Sequence, residues 1–335
     1  MGSIFISVVH TMLQIIVIMA LGFFLRSTHI LPQKFFENIS KFLIKGALPI
    51  YLFSKVVEAD RSVLAGSWIF PIAAVCLLAV GVFISYIVFT LLPFTGKEKR
   101  AGIAMSAFGN SAYIPLTLIE IFPLTVPLVI EKYGSSVPAL YIGIYVLIFS
   151  PLLWSIGHYL ITGKSEISIR TVINPPFLGI ALGFTAVFLH LNTYIMNDQV
   201  FIHHLYLGLQ RIGDTTFPLI LIVLGAMIAN LNLHVEGKWR LTQMALGVFS
   251  VRFVLMPAFF YFLYFFLLRR LDFITPVHIW VLFLETHIPP SLNLSIMVSE
   301  AGVNQGYTAF SLLITYLGFL VIFPLHMVLF LQIVG

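Results

Sequence analysis

With 335 residues, 60% of them hydrophobic and only 9% charged, the chain is excluded from the class of ordinary soluble domains, in which about a quarter of residues are charged. The formal charge of +5 does not mark a nucleic-acid binder, because the basic residues fall between apolar runs, where topology signals sit. The single cysteine, Cys76, excludes an intramolecular disulfide, no cysteine cluster suggests a metal site, and packing in its apolar run is its expected role.

A spanning helix takes about 20 mostly apolar residues. Runs near 4–25, 36–57, 67–92, 101–130, 138–161, 173–191, 203–231, 241–268, 275–299 and 306–333 supply ten, and the chain is expected to be an all-α polytopic membrane protein. The first run has no basic region before it and reads as a retained helix, not a cleaved signal. Connections are short and carry the charges, as in Lys97-Glu98-Lys99-Arg100 and Lys164-Ser165-Glu166, which leaves no inserted soluble domain. Counted in alternate connections, Arg26, Lys34, Lys97, Lys99, Arg100, Lys164, Arg170, Lys238 and Arg240 fall on one side. Lys55, Arg61, Lys132, Arg269 and Arg270 fall on the other. The positive-inside rule makes the first side cytoplasmic and places both termini outside a bacterial inner or plasma membrane.

Two runs are interrupted. The fourth contains Phe108-Gly109-Asn110-Ser111-Ala112-Tyr113-Ile114-Pro115-Leu116, and the ninth contains Glu285-Thr286-His287-Ile288-Pro289-Pro290-Ser291-Leu292-Asn293. Gly and Pro break helices, and the polar groups stand where lipid cannot satisfy them. Landmark prolines recur at nearly one spacing. Pro49 and Pro218 are 169 residues apart, Pro115 and Pro289 are 174, and Pro151 and Pro324 are 173. Two five-helix halves follow, 1–162 and 173–335. Five is odd, so the halves enter the membrane from opposite sides as an inverted repeat.

Matched broken helices are a pointer to a transport site. The half-helices resuming near Pro115 and Pro290 begin with unpaired N–H groups and a partial positive charge, which suits a small organic anion. Asn110 and Asn293 add neutral amides that can donate to a carboxylate. The alternative is that Pro and Asn merely kink and knit neighbouring helices.

Ionisable residues at bilayer depth are costly and become coupling or charge-balancing candidates. Asp214 stands three residues after Arg211, which allows a local ion pair or a coupling role. Glu285 and His287 flank the second break, and either can titrate. Arg252 offers charge to an anion or braces Glu285 or Asp214. Lys41 and Lys45 are expected to snorkel, Glu120 to face the cavity and Glu300 to sit at the external boundary. There is no H-E-x-x-H, P-loop, G-x-S-x-G or cysteine pair, so neither an enzyme nor ATP-driven transport is indicated, and no cofactor is expected.

These residues resemble the auxin efflux carrier family, which includes plant PIN proteins and bacterial permeases. The likeness lies in Phe108-Gly109-Asn110 with Ile114-Pro115-Leu116, in Asn174-Pro175-Pro176, and in Arg211-Ile212-Gly213-Asp214 with Pro218 and Leu224-Gly225-Ala226. It continues in Arg252 with Pro257 and in Pro289-Pro290-Ser291-Leu292-Asn293. The resemblance implies a ten-helix inverted repeat of the bile-acid-transporter type. Helices 1, 2, 6 and 7 form a scaffold that often dimerises, and helices 3–5 and 8–10 form a moving, elevator-type domain. Substrate binds where helices 4 and 9 cross, with Asn110 and Asn293 as carboxylate contacts and Pro115 and Pro289 marking the breaks. Tyr113-Ile114 replaces the family's usual second glycine, so Tyr113 bears on pocket size. The long loop of the long plant carriers is missing, which points to a compact permease.

The expected function is secondary or facilitative transport of small organic anions, carboxylates above all. The expected substrate contacts are Asn110, Ser111, Tyr113, Pro115, Pro289, Pro290 and Asn293, and H+ or Na+ is the candidate co-substrate. A homodimer through the scaffold is the expected assembly. A membrane-embedded sensor that binds the same anions without moving them is the alternative, and counterflow of labelled ligand separates the two.

Overall fold

In the computed structural model, residues 2–134, 136–164, 173–231, 238–303 and 305–334 are described. Ser165, Glu166, Arg170 and the side chain of Lys238, used above for topology, lie outside the description. Among the described residues the structure is helical and has no β-strand; one antiparallel bridge joins Gly109 to Pro290.

Six continuous helices are long and apolar enough to cross a membrane: α1 (Gly2–Ser27), α3 (Arg61–Leu91), α7 (Ser136–Thr162), α10 (Phe201–Ala229), α11 (Trp239–Arg270) and α14 (Gln305–Ile333). Each coincides with an expected run. The second expected run forms α2 (33–57), continuous through a π turn at Leu43–Ala47 and carrying Lys34, Glu37, Lys41, Lys45 and Lys55. The sixth forms only α8 (Pro175–Phe188), followed by the short α9 (Leu191–Ile195). Fourteen residues rise about 21 Å, short of the roughly 30 Å hydrocarbon layer.

The fourth run is divided into α4 (Gly96–Ala107), α5 (Tyr113–Thr125) and α6 (Pro127–Tyr133). The sequence reading carried one span on to residue 130, whereas α6 turns away from α5 by 114°. Val126 precedes Pro127, which disfavours helical backbone, and it adopts φ −125° and ψ 87°. The ninth run is divided into α12 (Pro276–Thr286) and α13 (Asn293–Glu300).

Helix ends follow from local chemistry. The Asn174 side chain accepts from the Phe177 N–H at 2.9 Å, with Pro175 in the first turn of α8. Thr275 and His278 form a reciprocal capping box at the start of α12. The π turns at Leu43–Ala47 and Val251–Leu255 each end two residues before a proline, Pro49 and Pro257, where a proline ring crowds the preceding carbonyls.

Helix packing falls into matching pairs. The second half of α10 runs along α1, and α8 runs along the second half of α2; α7 packs on α3, and α14 on α11. The first two contacts bring backbones together through glycine. A Cβ at Gly225 would lie 1.9 Å from the Met19 carbonyl oxygen, and one at Gly179 would lie 2.2 Å from that of Pro49. Cys76, expected to pack, is exposed on α3.

Contacts sort the connections onto two ends. Lys97 Nζ donates to the Ala301 carbonyl at 2.9 Å, Arg240 pairs with Glu98 at 2.8 Å, and His158 lies 3.5 Å from Glu300. Glu300, expected at the external boundary, therefore sits at the basic end. At the opposite end Arg61 donates to the carbonyl of Phe188 at 2.9 Å, and Trp68 lies against Phe273.

Candidate functional site

The two breaks meet. The Asn110 N–H donates to the Pro289 carbonyl at 2.9 Å, and the Ser291 N–H donates to the Phe108 carbonyl at 3.0 Å. Each interrupted segment satisfies backbone groups that the other freed, which is how non-helical backbone survives at membrane depth. The ends of four helices converge here: the C-termini of α4 and α12 and the N-termini of α5 and α13.

Asn110 is fixed at both ends of its amide. Its Oδ1 accepts from the Tyr113 N–H at 3.4 Å, which helps cap α5, and its Nδ2 donates to the Tyr316 hydroxyl at 2.7 Å. Tyr316 in turn donates to the Pro290 carbonyl at 3.2 Å. The expected start of the resuming helices is corrected in detail. α5 begins at Tyr113, so Pro115 lies inside its first turn, and α13 begins at Asn293, so Pro289 and Pro290 belong to the extended break.

A cavity of about 1090 Å³ reaches the crossover from the basic end. Asn110, Ser111, Tyr113 and Asn293 line it, joined by Ser291. Pro115, Pro289 and Pro290 are buried and do not line it. Its opposite wall is α2 and α10, with Phe36, Lys41, Ile44, Val223 and Met227. Tyr113 is half-buried and lines the cavity from the α5 side.

The coupling candidates separate into three places. Arg252, on the π turn of α11, is 2% exposed, and Glu285, at the end of α12, is 4% exposed. Both act on Tyr145, and Glu285 also lies beside Ser111. His287 is fully buried behind the crossover, where its Nδ1 donates to the Phe283 carbonyl at 2.7 Å and its ring stands 5.0 Å from that of His326. Asp214 and Arg211 are exposed on α10, and no ion pair joins them, so the expected local pair is absent. Arg252 neighbours Glu285, not Asp214. Glu120 does not line the cavity; it bonds to Tyr51 and lies 3.7 Å from Lys55.

Tyr145 and Tyr316 were missed by the sequence reading, and Ser291 was placed in the second break without a role. Their one signal was a hydroxyl inside or beside an apolar run, which membrane helices also use simply for packing.

A family model described as membrane transport protein matches residues 7–168 and again 165–327. The chain belongs to this family, that of the auxin efflux carriers. Membership and the apolar helices make it a multi-pass membrane transporter. No curated protein matches it.

Proposed function

We propose that this auxin efflux carrier family member moves small organic anions, carboxylates in particular, by secondary or facilitative transport with an elevator motion. One observation carries the reading: the paired breaks put the N-termini of α5 and α13, with Asn110 and Asn293, at the inner end of a large cavity. The partial positive charge of helix starts and neutral amides bind a carboxylate without a permanent charge in the membrane.

In this reading the chain makes ten crossings as an inverted repeat of 1–162 and 173–335. Support comes from the two successive family matches, from the equivalent helix pairings and from prolines in corresponding helices. α1, α2, α8 and α10 are the scaffold, and the helices holding the crossover are the moving domain. The cavity between them opens at the basic end, so this is the inward-facing form, with both termini outside the cell. Arg211 and Asp214 stand exposed half-way along α10, where lipid contact is costly, which supports a homodimer that covers this face. The co-substrate is H+ or Na+.

The test is uptake of benzoate, lactate and succinate into liposomes containing the purified protein. Asn110→Ala and Asn293→Ala are each expected to lower uptake about tenfold, the loss of one hydrogen bond to a charged group. Uptake by both variants at the full rate removes the site assignment. Binding without counterflow favours the sensor.

A further inference from the structure

Arg252 and Glu285 stand out among the described residues, because both are ionisable side chains buried at the crossover with polar atoms left unbonded. Nε and Nη2 of Arg252 have no hydrogen-bond partner, and the carboxylate oxygens of Glu285 have none of good geometry, with the Ser111 hydroxyl lying beside them. No ion pair joins the two residues. Uncompensated charge at this depth is strongly disfavoured, so a permanently idle pair would be a defect without a return. The arrangement becomes sensible if something binds and leaves.

The position of Arg252 shows what its charge acts on. Its Nη1 would lie 3.0 Å from a Cβ built on Gly109, so the guanidinium lies directly behind the backbone that lines the cavity. Ser111 stands between the two compartments, lining the cavity on one side and neighbouring Glu285 on the other.

We propose that the crossover binds a proton on Glu285 together with the substrate anion, with Arg252 as the charge that links them. This deepens the anion-transport reading and rests on it. With Glu285 ionised, its charge offsets that of Arg252, and an anion meets only amides and helix ends. With Glu285 protonated, the charge of Arg252 is uncompensated one backbone layer behind the anion. Each ligand therefore favours the other, and by linkage the effect is reciprocal. Charges separated by several ångströms in protein surroundings couple by a factor on the order of ten to a hundred. A Na+ ion at the same place would be repelled by Arg252, which selects H+ as the co-substrate.

The other groups around Glu285 leave it the natural proton carrier. Arg252 faces it from α11, Tyr145 from α7 and Ser111 from the first break; Tyr316 of α14 reaches Arg252. On its own segment His287 turns to Phe283 and His326, and His278 lies at the far end of α12 against the Gly66 carbonyl at 3.2 Å. Tyr133 of α6 stacks on Trp280, and Glu120 of α5 is held by Tyr51 and Lys55.

Infrared difference spectroscopy on the protein in phosphatidylcholine liposomes, titrated between about pH 4 and pH 9, reads the carbonyl band of a protonated side-chain carboxyl directly. The expected result is a titrating band that is lost in Glu285→Gln and displaced in Glu285→Asp. Saturating benzoate is expected to raise its midpoint by about one pH unit or more, the counterpart of tenfold tighter benzoate binding at low pH. Glu285→Gln binds benzoate with the low-pH affinity throughout. A Glu285 carboxyl that never protonates in this range overturns the proposal, and so does bound benzoate that leaves the midpoint unmoved, although the anion site then stands. Failure of benzoate, lactate and succinate to bind at any pH removes the anion reading and the coupling together.

Discussion

At the end of the molecule away from the cavity, Glu58 accepts from Tyr206 at 2.8 Å, Gln210 at 2.8 Å and Ser136 at 3.0 Å. Lys55 stands between two carboxylates, 3.8 Å from Glu58 and 3.7 Å from Glu120, and Tyr51 completes the group by bonding Glu120. At the crossover, in contrast, Glu285 and Arg252 sit deeper and have unsatisfied polar atoms. Both clusters place charge among apolar helices, yet one is satisfied and the other is waiting. A satisfied network holds elements together. It links α2 and α10 to α5 and α7, the two groups that would slide past each other in the proposed elevator, and it does so at the end away from the cavity. An unsatisfied pair holds nothing, and is available to a ligand.

The contrast is broken most forcefully at Glu58. Glu58→Ala orphans three donors and leaves Lys55 with one carboxylate, and removing one member of such a group costs about 3 kcal/mol. Thermal unfolding in detergent measures it. Glu285→Gln removes a charge that no hydrogen bond of good geometry holds but leaves Arg252 without its counter-charge, and is expected to cost less than Glu58→Ala. Equal losses in the two variants would mean that the clusters do the same work.

A smaller effect tests the closing role. Glu120→Gln keeps an acceptor for Tyr51 and takes one partner from Lys55, at a partly exposed position, so its cost is no more than about 1 kcal/mol. If the network holds the outer side shut, that loss moves the population away from the inward-open form. In a Cys76→Ser background, labelling of Ile44→Cys in the cavity wall by an impermeant thiol reagent is then expected to slow by up to about fivefold. Unchanged labelling would reduce the network to packing.

The two clusters were also unequally legible in the sequence. Gly109, Pro115, Pro289 and Pro290 interrupt apolar runs, and interruptions at a common spacing announce a crossover before any contact is known. The helix ends were less readable, since Pro115 lies within the first turn of α5 rather than ahead of it, and Val126-Pro127 produced a turn that composition alone did not single out. The outer cluster was invisible for a different reason. Lys55, Glu58, Glu120, Tyr206 and Gln210 come from three separate segments, and near helix ends such residues look like ordinary topology signals and snorkelling groups. Only packing brings them to one place. The Arg211–Asp214 pair failed in the opposite sense, because i, i+3 spacing permits an ion pair without requiring one.

Asp214 provides the finest separation of the two regions. It is exposed on α10 and its charge reaches Tyr51 and Tyr206, both members of the outer cluster, whereas the groups acting on Glu285 are Ser111 and Arg252. Asp214→Asn removes a charge that holds no hydrogen-bonded partner, so the stability of the protomer is expected to change by no more than about 0.5 kcal/mol. The infrared midpoint of Glu285 is expected to stay where it is, with or without benzoate. A midpoint displaced by Asp214→Asn would show that charge at the scaffold face is felt at the crossover. The satisfied and unsatisfied clusters would then be one electrostatic unit, and the proton site would extend through α10 instead of ending at Arg252.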